Sequence, residues 1–78
     1  MDEIQWTPVR RRVMNYIERK KRLLTAKDIL AFDTTLDKVT VYRTLDSFLK
    51  AGLVRELFLA NGEKGYELSD EQDHHHHF

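Results

Sequence analysis

Cysteine is absent from this sequence, which excludes a disulfide framework and any thiolate metal site within it. Proline occurs once and glycine three times, so few positions interrupt regular backbone and no glycine-rich loop is present to cradle a phosphate. No apolar run approaches the roughly 18 residues of a membrane span. Met1-Asp2-Glu3 opens on acid, where a secretory signal would open on positive charge followed by an apolar stretch. The expectation is a cytoplasmic protein with no membrane partner. An enzyme is not expected: there is no cysteine nucleophile, and no serine or histidine in the body of the chain has an evident catalytic partner.

What is present describes one small soluble domain. Seventy-eight residues, 41% hydrophobic and 33% charged, fall in the globular range and bury about 60–65% of the unfolded surface, so the core must be small. Thirteen Lys/Arg balance thirteen Asp/Glu, but the charges are unevenly placed. Residues 1–50 carry eleven Lys/Arg against seven Asp/Glu, and residues 51–78 carry two against six. A basic front and an acidic tail point to a polyanion as one partner of the front, the alternative being chance asymmetry in a short chain.

Three helices are predicted from capping residues and periodicity. Thr7-Pro8 pairs an N-cap hydroxyl with proline at the first helical position, where its missing N–H costs nothing. Val9, Val13, Tyr16 and Ile17 then recur at helical spacing, and the helix runs out in Glu18-Arg19-Lys20-Lys21-Arg22, with cations at the negative end of its dipole. Thr25-Ala26-Lys27-Asp28 resembles a capping box with Asp in place of Glu and opens a short helix with Ala26, Ile29 and Leu30 on one side. After the turn residues Asp33-Thr34-Thr35, Asp37 caps a third helix from Lys38 to Ala51, with Val41, Leu45, Phe48 and Leu49 as its apolar stripe. Gly52 is placed as the left-handed residue that ends it, with Leu53 folding back onto it.

Beyond Gly52 the pattern changes to strand. Leu53 to Leu59 and Gly65-Tyr66-Glu67-Leu68 flank the turn dipeptide Asn61-Gly62, which predicts a β-hairpin. Three helices followed by a two-stranded hairpin is an α+β, winged helix-turn-helix arrangement, assigned to residues 1–69. The second helix of such a unit enters the DNA major groove. At 100° per residue, the third helix turns Val39, Arg43, Ser47 and Lys50 away from its apolar stripe, with Thr40 and Tyr42 at the flanks. Val39 suits a thymine methyl, Tyr42 base edges or sugar, and Arg43 guanine or phosphate. The alternative is that Val39 and Tyr42 pack on a neighbouring loop or on the first helix. A winged helix serving as a protein-protein interaction module without DNA binding is the competing function, and it would show a broader apolar patch on this face.

Several segments together resemble the ferric uptake regulator family. They are Thr7-Pro8-Val9-Arg10, Thr40-Val41-Tyr42-Arg43-Thr44-Leu45, Ala51-Gly52-Leu53-Val54-Arg55-Glu56, Tyr66-Glu67-Leu68 and His74-His75-His76-His77, and the likeness runs from about residue 7 to residue 78. The resemblance implies the N-terminal, double-stranded-DNA-binding half of a bacterial metal-dependent transcription repressor. It implies a homodimer in the full-length protein, acting on an A/T-rich palindromic operator. It places Val39, Tyr42 and Arg43 at DNA-contacting positions of the recognition helix and Arg10 at a backbone-contacting one. Lys38 and Thr40 adjoin them, and Lys64 is the donor expected from the wing, with Glu63 beside it working against a phosphate.

The same resemblance implies a divalent metal, zinc or iron, in the full-length protein. Its ligands here would be His75 and His77 with Glu67 as partner, imidazole and carboxylate being suitable donors for either ion. Residues 70–78 are read as an acidic, histidine-rich start of a linker towards a dimerisation domain, the histidine run being native rather than a purification tag. Three departures stand out. Gln5 and Trp6 occupy the approach to Thr7, where many members have a basic residue and an extra helix upstream. Leu23 stands where iron- and peroxide-sensing members carry a ligand histidine. Phe78 is the last residue, where the family continues into cysteine-containing sequence, so most of the metal site is expected outside these residues.

Overall fold

The computed structural model describes residues 4–69. In chain order they form α1 (Pro8–Lys20), β1 (Leu24–Thr25), α2 (Ala26–Phe32), α3 (Lys38–Lys50), β2 (Val54–Phe58) and β3 (Lys64–Leu68). The expected α+β arrangement of three helices and a wing is present. The sheet, however, has three strands, not two, because β1 joins the hairpin in the order β1-β3-β2. Leu24 sits opposite Tyr66 and Thr25 opposite Gly65, antiparallel. A two-residue strand carries no periodicity of its own, so only its pairing with β3 defines it.

The helix boundaries follow the capping chemistry. The Thr7 hydroxyl accepts from the Arg10 N–H at 3.2 Å, with Pro8 in the first turn. Thr25 and Asp28 form a reciprocal capping box, each side chain accepting from the other's backbone N–H, at 2.9 and 3.3 Å. Asp substitutes for the usual Glu because its shorter arm still reaches back one turn. Asp37 accepts from the Thr40 N–H at 2.8 Å. Helix α3 ends at Lys50, one residue before the expected Ala51, which serves as C-cap. There the Gly52 N–H donates to Leu49 and the Leu53 N–H to Phe48, a Schellman closure that requires the positive φ of 77° at Gly52.

The core is the meeting of the three helical stripes with the sheet. Val13 and Ile17 of α1, Ile29 of α2, Val41, Leu45 and Phe48 of α3 and Leu24 of β1 are all buried, with Val54 and Tyr66 from the hairpin. Trp6 tilts over Phe48 with ring centroids 5.8 Å apart, and Tyr16 stacks on Phe32 at 3.9 Å. Gly65 lies under Leu23: a methyl group at residue 65 would stand 2.7 Å from the Leu23 side chain. The backbone of β3 can therefore approach β1 closely only without a side chain there.

The turn between α2 and α3 is stapled to α1. Arg12 donates to Asp33 at 2.8 Å and to the Thr35 hydroxyl at 3.2 Å, while Asp33 also accepts from both the Thr35 N–H and hydroxyl. The Asp33 carboxyl is held below its ordinary range, foremost by the Thr35 hydroxyl, and the Asp37 carboxyl likewise by its bonds from Thr40. A carboxylate whose pKa is lowered by folding stabilises the native state fully above its unfolded pKa, and that contribution is lost as pH falls through the folded value. Asp37→Asn keeps a capping oxygen but cannot ionise. Thermal melts should therefore show wild type more stable than Asp37→Asn near neutral pH and the two converging towards about pH 2. A constant gap across that range would show that the Asp37 charge is irrelevant to the cap.

Candidate nucleic-acid interface

Helix α3 is buried on one face and open on the other. Val41, Thr44, Leu45 and Phe48 face the core, which turns Val39 and Tyr42 outward at 56% and 44% exposure. Two large apolar side chains open on one helix face, beside cations, offer a surface that a partner can cover. Lys38 and Arg43 are exposed beside them and make no ion pair among the described residues, while Thr40 is half-buried at the flank. Val39 is the more open of the two apolar side chains, while Tyr42 also borders the wing turn at Gly62 and Glu63.

The other residues on that side of α3 are engaged. Ser47 is half-buried, accepting from the Arg10 guanidinium at 3.2 Å and donating to the Arg43 carbonyl at 3.1 Å. Arg10 also donates to the Gln5 carbonyl. It thus ties the approach segment, α1 and α3 together, and its charge lies beside the outer face of α3 instead of projecting freely. Lys50 pairs with Asp46 one turn back at 3.2 Å.

The wing closes a groove of about 360 Å³ against the N-terminal ends of α2 and α3, with Thr25, Lys27, Lys38, Tyr42, Glu63 and Lys64 among its walls. Three of the expected contact residues, Lys38, Tyr42 and Lys64, therefore meet around one opening, although they are up to 26 positions apart in the chain. Lys64 is not unencumbered: its ammonium lies 3.6 Å from Glu56 and 5.9 Å above the ring of Phe58, which is itself 74% exposed. Behind α3, Tyr66 is buried, and its phenol is pushed up from its ordinary value by that burial first, then by the negative charge of Glu56. It stays neutral, a packing support for α3. Lys27 and Glu63 were not among the expected site residues. Lys27 could have been noted at the exposed start of the short second helix, but its nearness to the wing exists only because β1 pairs with β3.

Of the residues expected to hold metal, only Glu67 lies among the described residues. Glu67 lies on β3 with its carboxylate bound by the Arg55 guanidinium, at 2.8 and 2.7 Å. Leu23 covers Gly65 with an apolar side chain, and no three His, Cys, Asp or Glu side chains converge among the described residues. A divalent cation needs several oxygen or nitrogen donors held together, so the described residues do not fit one. His75 and His77, and the proposed linker over 70–78, lie outside the described residues.

A helix-turn-helix whose second helix exposes a mixed aromatic and basic face, flanked by a β-wing, defines a winged-helix domain. The sequence profile of the ferric uptake regulator family matches residues 2–78, and the chain belongs to that family. It is 41% identical to a ferric uptake regulation protein of Synechococcus elongatus, the match covering 69% of this chain and 40% of that one. Its fold is similar to that of the ferric uptake regulator of Francisella tularensis, a structure with iron. The TM-score is 0.77 at 29% identity, over 88% of this chain and 58% of that one. The chain thus spans under two thirds of the length of either relative. Proteins of the family are metal-dependent transcription repressors, regulators and not enzymes, with an N-terminal DNA-binding domain. No helix among the described residues is long and apolar enough to cross a membrane.

Proposed function

We propose that this domain binds double-stranded DNA in a sequence-dependent way, as the N-terminal half of a cytoplasmic metal-dependent repressor. The observation that carries the proposal is the outer face of α3, where Val39 and Tyr42 stand open between Lys38 and Arg43. A protein-docking face would be more uniformly apolar. This one pairs methyl and aromatic groups, suited to thymine-rich base edges, with cations suited to guanine or phosphate. Helix α3 lies in the major groove. Lys38, Thr40 and the wing residue Lys64 address the flanking backbone, and Arg10 fixes the helix against α1 with its charge towards the same side.

In the whole protein, two such domains in a homodimer match the halves of an A/T-rich palindromic operator. Zinc or iron regulates that dimer through donors supplied mostly from beyond the residues described here. Fluorescence anisotropy with an A/T-rich duplex tests the first layer. A module neutralising three or four phosphates should lose roughly 40- to 150-fold in affinity between about 50 and 200 mM salt. Absence of binding at low salt, or binding indifferent to salt, would overturn the reading.

A further inference from the structure

We propose that Glu63 on the wing stands, in the free domain, where a DNA phosphate is received, and that Lys27 is a phosphate-binding cation which this carboxylate withholds. The proposal rests on the DNA-binding reading and concerns the groove between the wing and helices α2 and α3. Lys27, Lys38 and Lys64, from three different elements, line that groove, and Glu63 is the one carboxylate among its walls. Ammonium groups gathered around a single opening are an arrangement for a polyanion. The polyanion's place is taken by the protein's own acid.

The Glu63 carboxylate is positioned by the wing turn. Its backbone N–H donates to the Asn61 side-chain carbonyl at 3.0 Å, and the Asn61 amide donates back to Oε1 at 2.7 Å. That leaves Oε2 facing Lys27 at 3.6 Å. An anionic oxygen anchored by a turn and presented to lysines is chemically what a phosphodiester oxygen would be there. The pair is also replaceable. At 3.6 Å, with the Lys27 side chain 83% exposed, it is longer than a charge-assisted hydrogen bond and is screened by water. Glu56 holds Lys64 at the same distance, so both wing-side cations are neutralised until a stronger anion arrives. Affinity for DNA is thereby limited by an exchange of carboxylate for phosphate.

The test uses the 78-residue chain and an A/T-rich duplex, measured by anisotropy across a salt series. Glu63→Gln retains the contacts with Asn61 and removes the charge. It should bind about two- to fivefold tighter at low salt, where wild type must break the Lys27–Glu63 pair, and the gain should shrink as salt screens that pair. Lys27→Ala should cost wild type little and should cancel the gain in the Glu63→Gln background. Thermal melts of the variants establish that the fold is intact. If Glu63→Gln matches wild type while Tyr42→Ala binds more weakly, DNA binding stands and this inference fails. An equal effect of Lys27→Ala in both backgrounds also overturns it, since a general charge effect needs no such coupling. If no variant binds the duplex at low salt, the DNA-binding reading itself falls.

Discussion

Phe48→Ala is expected to leave the domain largely unfolded at room temperature. The ring is fully buried at the end of the inward stripe of α3, between the core and the tilted ring of Trp6. Removing a buried phenyl group costs about 3–5 kcal/mol, through lost transfer free energy and the cavity left behind. A single core in a chain below about 70–80 residues seldom supplies more than about 3–5 kcal/mol in total. The two figures are the same size, so no margin remains. Urea unfolding followed by far-UV circular dichroism reads the result directly. Phe48→Leu, which keeps most of the volume, should remain folded with a lowered midpoint. A Phe48→Ala protein melting like wild type would mean that α3 is anchored by something other than this ring. Because the residues proposed to read DNA sit on the opposite side of the same helix, DNA binding should disappear together with the fold.

Arg43→Ala is expected to weaken binding to a matched A/T-rich operator by about 1–3 kcal/mol, roughly 5- to 150-fold, while changing affinity for scrambled duplex far less. The asymmetry follows from what the residue reaches. A guanidinium on a base edge is worth most on the right sequence, whereas one on phosphate is worth the same on any. Tyr42→Ala should behave similarly, because the ring offers a broad apolar surface to sugar and base edges. Both side chains are exposed, so neither change should shift stability by more than about 0.5 kcal/mol. Competition titrations against the two duplexes provide the comparison. Equal losses on both duplexes would reassign Arg43 to the phosphate backbone, and no loss on either would remove α3 from the major groove.

Much of this arrangement was legible in the residues themselves because its signals are local. Thr7-Pro8, the Thr25/Asp28 box, Asp37 and Gly52 each act within one helical turn, and each is found in its expected role. The outward position of Val39, Tyr42 and Arg43 followed from 3.6-residue periodicity alone. Strand β1 did not, since Leu24-Thr25 is too short to show alternation and is defined by partners 40 and 42 positions further along the chain. The engagement of Ser47 by Arg10, 37 residues apart, was hidden for the same reason: a helical wheel places Ser47 on the open side and says nothing of another helix above it.

The same division holds for charge. That the front of the chain is basic and carries a helix with Val39, Tyr42 and Arg43 turned outward could be read from composition and spacing, because these depend only on residue type and backbone period. Which cations are available to a partner could not. Lys64 is drawn to Glu56, Lys27 to Glu63, and Glu67 to Arg55, and each pairing joins separate elements or neighbouring strands. Electrostatic attraction acts over a few ångströms of space and is indifferent to position along the chain. The helices and their exposed face were therefore written in the local order of residues. The groove, its three lysines and the acid that occupies it exist only because β1 pairs with β3 and brings the wing against α2.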